Sequence, residues 1–271
     1  MPISRKDFIK LSGIGLLGGL PIHSLKDSKV SSSTLTAREF HGADLSGWKK
    51  VVGDGIYAAP GEAAVSDADI DTLHYGSYSE LQANTHSRKI MAHNITYQRI
   101  RDAHALSYNY SAGFSFRLPY LPAKGKLDLN AQTIEGGIFV WDGADTRLEY
   151  GLGFQWFLNP GGCRDAKFGT MRCWTDTGGG SWENIGYLEP DTVWHELRLY
   201  FDLQKQTTAF TIDGIRYPAC FTSTPKPANW GRETSAGIQV EIISIYPGSI
   251  PGAMHKAEFK DWSWAWEPFG V

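Results

Sequence analysis

The 271-residue chain carries 26 basic and 29 acidic side chains, a net charge of −3. That balance excludes nucleic acid as a partner, because no basic excess exists to neutralise phosphates. No run of about 20 apolar residues occurs, so nothing spans a membrane after processing. The unusual features are 10 Trp and 30 Gly, which suit β-structure with tight turns and surfaces that stack on sugar rings.

Residues 1–27 read as an export signal. Arg5 and Lys6 precede a short apolar, glycine-containing run from Leu11 to Ile22, too short for an anchor and too rich in glycine for a good helix. The stretch resembles the twin-arginine signal at Ser4, Arg5, Phe8 and Lys10, with Lys6 in place of the second arginine and Ile9 in place of leucine. A periplasmic or secreted location follows. Residues 28–36 are a Ser/Thr-rich linker, and 37–271 are expected to form one domain. Export permits disulfides, and three cysteines leave one over. Cys163 and Cys173, within "GGCRDAKFGTMRCW", are the expected pair, with Cys220 a free thiol. No C-x-x-C, H-E-x-x-H or clustered His pair points to zinc.

After the linker come short runs of period two, bounded by Gly, Pro, Asn or Asp. "YSAGFSFRLP" sets Tyr110, Ala112, Phe114 and Phe116 against Ser and Gly. "HELRLYFDL" sets Leu197, Leu199, Phe201 and Leu203 against polar partners, with Tyr200 among them. "AGIQVEIISI" sets Ile238, Val240 and Ile242 against Gln239 and Glu241. These are strands, and Asp213-Gly214 is a two-residue hairpin turn between two more. Many strands at short spacing predict an all-β sandwich or barrel.

The stretch from Glu135 to Phe157, "EGGIFVWDGADTRLEYGLGFQWF", predicts a hairpin with two unlike faces. With Asp142–Thr146 as its loop, Trp141 lies opposite Arg147 and Glu149 opposite Phe139. Ile138, Val140, Leu148, Leu152 and Phe154 then share a core face, and a slip of one residue would bury Arg147 and Glu149 among them. The other face gathers Glu135, Phe139, Trp141, Arg147, Glu149 and Gln155, with Gly137, Gly151 and Gly153 expected to leave room for a ligand. In "FGTMRCW", Arg172 and Trp174 share a face opposite Met171 and Cys173. A floor of indole, guanidinium, carboxylate and amide suits a sugar, so Trp141, Arg147, Gln155, Arg172 and Trp174 are the candidate substrate-binding residues. The closing "DWSWAW" puts Trp262, Trp264 and Trp266 on one face, where they are expected to seal the core.

"EFHGADLSGWKKV", "TVWHELRLYFDLQKQTTAFTIDG" and "KAEFKDWSWAW" together resemble the concanavalin A-like lectin/glucanase superfamily over roughly residues 38–267. The opening Phe40…Asp44-Leu45-Ser46-Gly47-Trp48, and "GGIFVW" followed by "YGLGFQW", are similar to its 3-keto-disaccharide hydrolase-like (LamG-like) branch. The resemblance implies an antiparallel two-sheet jelly roll whose concave face binds an oligo- or polysaccharide. It does not name a reaction.

A glycan-cleaving hydrolase, a non-catalytic carbohydrate-binding module, and a polysaccharide lyase or structural protein are the readings that remain, in that order. Hydrolysis needs two carboxyls about 5–9.5 Å apart. The Glu-x-Asp-x-x-Glu of laminarinase-type members is absent, which leaves Glu149 and Glu135 as candidate catalytic residues, some 13 Å apart along the strand in this register. Loop acids Asp142, Asp145 or Asp176 are possible partners, and a lyase would draw on Arg147, Arg172 and a His or Tyr. No cofactor is expected. Asp261, where some relatives hold a structural calcium, is the one metal candidate.

Overall fold

A computed structural model describes residues 35–52, 70–83, 91–102, 104–121, 131–141, 148–159, 167–175, 181–217, 234–245 and 255–269. The export signal and most of the linker lie outside these residues. The strands are β1 (Arg38–Gly42), β2 (Lys49–Val52), β3 (Ile70–His74), β4 (Ser79–Ala83), β5 (Met91–Arg101), β6 (Tyr108–Arg117), β7 (Ala131–Trp141) and β8 (Leu148–Asn159). They continue with β9 (Thr170–Thr175), β10 (Ser181–Tyr187), β11 (His195–Asp202), β12 (Thr207–Ile212), β13 (Ile215–Tyr217), β14 (Ser235–Ile245) and β15 (His255–Pro268). Among the described residues the helical content is one 3-10 turn, Ala105–Ser107.

Two antiparallel sheets pack face to face. One has eight strands in the order β13-β12-β11-β6-β15-β4-β3, with β1 also on β15; the other has seven, β10-β9-β8-β7-β14-β5-β2. Alternation decides which side chains meet between them. Phe114, Phe116, Leu197, Leu199, Phe201 and Phe210 come from the first sheet, and Ile138, Leu152, Phe154, Trp156, Ile238 and Val240 from the second. Gly136 of β7 sits under the Phe114 ring, where a Cβ would collide with it.

In β15 the period-two pattern changes phase and still faces the core on both halves. Ala257 and Phe259 point inward, and so do Trp262, Trp264 and Trp266. A bulge between Lys260 and Ser263 makes the change, with Asp261 at φ 50°, a left-handed conformation that Asp tolerates. The three indoles are core, as their spacing suggested. Asp213 and Gly214, at φ 51° and 78°, form the expected hairpin turn between β12 and β13.

The predicted hairpin register requires correction. Trp141 pairs with Leu148, Phe139 with Gly151 and Glu135 with Gln155. From Glu135 to Val140 this is two residues from the expected pairing; past a bulge between Val140 and Trp141 it is one at Trp141. A displacement of two returns side chains to their own faces, so the division into core and outer faces survives before the bulge. Cys173 faces the core opposite Phe154 and is disulfide-bonded. Cys163 and Cys220 both lie outside the described residues.

Candidate functional site

The strand order of the seven-stranded sheet lays its outward-facing side chains in rows. One row runs Asn184 (β10), Arg172 (β9), Gln155 (β8), Glu135 (β7), Glu241 (β14), each the Cα partner of the next. The adjacent row runs Trp182, Trp174, Gly153, Gly137, Gln239, Tyr97, Lys49. The structure therefore brings four predicted site residues together: Glu135, Gln155, Arg172 and Trp174. Arg147 lies outside the described residues, as do Asp142, Asp145, Asp176 and His86. Trp141 and Glu149 are described by backbone alone.

Beyond Asn184, which is exposed, the polar row is buried on the outside of the sandwich. Glu135 is 7% exposed and Glu241 0%. They stand directly opposite on neighbouring strands, where paired Cβ atoms lie about 4.5–5.5 Å apart. Glu135 Oε1 accepts from the Gln155 amide and, at 3.4 Å, from Thr133 Oγ1. Burial, and then the negative charge of Glu241, hold the Glu135 carboxyl well above the ordinary carboxylate range, against the opposing pull of Gln155, Thr133 and Arg172. Glu241 Oε2 accepts from Gln239 Nε2 at 3.4 Å. Arg172 donates through Nε to Asn184 Oδ1 at 2.9 Å, with its guanidinium carbon 5.2 Å from the centre of the Phe157 ring. Among the described residues Gln155 Oε1 is a buried acceptor with no donor. Exchanging the two ends of its amide would orphan a donor instead, so one end lacks a partner among the described residues either way.

The aromatic row corrects a second expectation. Gly137, Gly151 and Gly153 do not leave open space for a sugar. A Cβ on Gly137 or Gly151 would strike the Phe139 ring, and one on Gly153 would meet Trp174 and Trp182. The glycines admit Phe139 flat against the backbone. Phe139 and Trp174, 6.3 Å apart at 61°, form a small cluster with Trp182 packed on it. Trp174 is thus buried within a cluster, and the half-buried indole beside it is Trp182.

Sequence reasoning missed Glu241, Gln239, Asn184 and Trp182. The signal for the first two was in the text of β14, whose non-core face carries an amide and an acid. Both faces of that strand are buried, Ile238, Val240 and Ile242 on one and Gln239 and Glu241 on the other.

His104 adjoins the 3-10 turn, and His195 lies between Asp213 and Asp191 at 2.8 and 3.0 Å, well packed against Phe116 and Trp156. Asp261 is exposed and 3.2 Å from Lys260 Nζ. Calcium requires six to eight oxygen ligands. Among the described residues no group of three His, Cys, Asp or Glu converges, at Asp261 or elsewhere, so those residues do not fit a calcium site.

Solved structures with the same architecture are legume lectins. Lectin I from Ulex europaeus, solved with the methyl glycoside of α-L-fucose, matches with a TM-score of 0.51 at 8% identity, over 85% of this chain and 98% of that one. The fold is concanavalin A-like. Basic winged bean lectin with Tn-antigen matches at 0.50 and 10% identity, over 87% of this chain and 100% of its own. Peanut lectin with a nine-residue peptide matches at 0.50 and 10% identity, over 88% and 100%. A sialidase is matched over 74% of this chain but only 16% of its own length, at 10% identity and a TM-score of 0.41, so what that larger protein does is not carried over. No family model and no curated protein matches the sequence.

Proposed function

We propose that the protein is an exported glycan-cleaving hydrolase that works with Glu135 and Glu241 on the outer face of the seven-stranded sheet. The observation that carries this reading is the placement of two buried carboxyls opposite each other on adjacent strands, with burial and the charge of Glu241 raising the pKa of Glu135. With Cβ atoms about 4.5–5.5 Å apart, the two carboxyls can take up the spacing of the retaining mechanism, about 5–5.5 Å. Glu135 gives its proton to the glycosidic oxygen as Glu241 attacks the anomeric carbon and the C–O bond breaks. Water then attacks the glycosyl-enzyme and Glu135 takes the water's proton, restoring both groups. Trp182 supplies a ring for a sugar to stack on, and the free end of the Gln155 amide a partner for a hydroxyl.

A carbohydrate substrate is also the reading that the sugar-bound Ulex and winged bean lectins support. Within the superfamily, the opening segment and the paired central strands favour the 3-keto-disaccharide hydrolase-like branch. Binding without cleavage is the second reading, and one observation favours it: at 0% exposure Glu241 reaches a substrate only if something above it moves.

Product stereochemistry tests the proposal. Incubation with a panel of neutral and acidic oligosaccharides, followed by proton NMR of the first products, should show cleavage with the anomeric configuration retained. Inversion would remove Glu241 from the nucleophile's role, and no cleavage across the panel would leave the binding reading. The export proposal assigns residues 1–27 to the signal, 28–36 to a linker and 37–271 to one domain. Protein from the native envelope should then begin roughly 25–35 residues in, and N-terminal sequencing that finds Met1 or Pro2 would refute it.

A further inference from the structure

We infer that the outer face of the eight-stranded sheet carries a second, non-catalytic docking site for a neutral glycan chain, built on Tyr75, Tyr78 and Trp194. It shares the carbohydrate class with the function proposed above but none of its residues, so either reading can fail alone.

The β3–β4 hairpin is held firmly. Tyr75 N donates to Tyr78 O at 2.9 Å, and Gly76 takes φ 80° in the turn. Asp44 pins that turn from another segment, accepting Gly76 N at 3.1 Å on Oδ2 while Oδ1 accepts Ser46 N and Oγ at 3.0 and 2.6 Å. On this frame Tyr75 stacks on Tyr78, centroids 4.7 Å apart at 23°, and stays 52% exposed. Tyr78 meets the Trp194 ring at 6.4 Å and 69°. Trp194 is fixed in turn by Arg117 and Lys260, at 4.7 and 4.8 Å from its ring centre. The rings thus reach from the β3–β4 turn to the start of β11, with the end rings, Tyr75 and Trp194, at most about 11 Å apart through Tyr78. That span suits a chain rather than one sugar.

The charges around the strip favour a neutral ligand. Arg117 pairs with Glu258, Lys256 with Glu80 at 3.1 Å, and Lys260 with Asp261 at 3.2 Å. Among the described residues these three cations are each paired with a carboxylate, which leaves no excess here to attract an anionic chain or a nucleic acid. A protein partner would need about 800 Å² on its side of a stable interface, beyond what three partly buried rings present. A sugar chain fits: apolar ring faces lie on rigid aromatic surface, and hydroxyls reach the paired carboxylates and cations at its rim.

Affinity electrophoresis of the full chain carrying Glu135→Gln, which prevents digestion of the matrix, tests the site. The gels hold hydroxyethyl-cellulose, laminarin or mannan as neutral glycans, or alginate and polygalacturonate as anionic ones. The protein should be retarded by at least one neutral glycan and by neither anionic one. Adding Tyr75→Ala or Trp194→Ala should weaken that retardation about tenfold. Tyr75 is exposed at a turn, so its variant keeps the fold, and Tyr75→Ala alone should turn over a short oligosaccharide at the wild-type rate. Retardation unchanged by Tyr75→Ala, confined to anionic gels, or absent from all five overturns the proposal. Cleavage lost in Glu135→Gln with retardation intact separates the two sites.

Discussion

Glu135→Gln is expected to slow glycan cleavage by about 10²–10⁴ while leaving the fold intact. The substitution keeps the shape of a side chain that is 7% exposed and removes only its ability to give up a proton. Burial and Glu241 raise the Glu135 pKa, so the folded protein retains a proton that the unfolded chain releases. Its contribution to stability is therefore full below the unfolded carboxyl value and declines as pH rises toward the raised one. A permanently neutral amide avoids that decline, so at neutral pH the variant should be at least as stable as the wild type. The same proton gives kcat/KM an alkaline limb, with activity falling as pH rises through the raised pKa, and that limb should vanish in the variant. Glu241→Gln should cost at least as much activity, because it removes the nucleophile and one cause of the raised pKa together. Rate profiles with denaturation curves beside them check each point. Unchanged turnover, or a loss of stability that tracks the loss of activity, would make the pair a structural network.

The sandwich was legible because its signal is local. Period-two alternation in β11 places Leu197, Leu199 and Phe201 inside and Glu196, Arg198 and Tyr200 outside, as the structure does. Half of the site was legible for the same reason, since Glu135, Gln155 and Arg172 sit on consecutive strands whose faces follow from alternation. Its other half was not. Glu241 arrives from β14, about a hundred residues further along, and only the strand order places β14 between β7 and β5. No local pattern specifies which strand becomes a neighbour, so Glu149, close in sequence to Glu135, took the place that Glu241 holds.

The glycines misled for a related reason. Gly137 and Gly151 do mark a close approach to the backbone, but the approaching group is Phe139 from within the same hairpin. Sequence spacing reports that a Cβ is missing, not what fills the space. The outer aromatic strip was hidden likewise: Tyr75 and Tyr78 belong to a turn and Trp194 to a loop end more than a hundred residues away, and only the sheet brings them side by side.

Stability should fall by about 2 kcal/mol as pH is lowered from 7 to 5, through His255 alone. This residue is buried where the start of β15 meets β7, and each contact fixes a proton. Nε2 is 2.8 Å from Thr133 O, and a carbonyl only accepts, so Nε2 carries the hydrogen. Nδ1 then accepts from the Tyr120 hydroxyl at 2.9 Å. Tyr120 has one proton to give, so its 2.7 Å contact with the Gln132 side chain is made by the amide donating, with oxygen and nitrogen placed accordingly. A second proton on the ring could be accepted only by turning the Tyr120 hydroxyl round, and burial lowers the His255 pKa from 6.5 to about 4. Below the unfolded value the unfolded chain binds a proton that the folded one refuses, so stability drains away from about pH 6.5 toward pH 4, by about 3 kcal/mol over the whole interval at 1.36 kcal/mol for each pH unit. Glu135 acts in the opposite direction above the unfolded carboxyl value, so the Glu135→Gln protein should show the steeper dependence. Urea denaturation at pH 7, 6 and 5 reads the slope directly. His255→Gln should flatten it whatever the variant's absolute stability, and an unaltered slope would mean that another group titrates in this window.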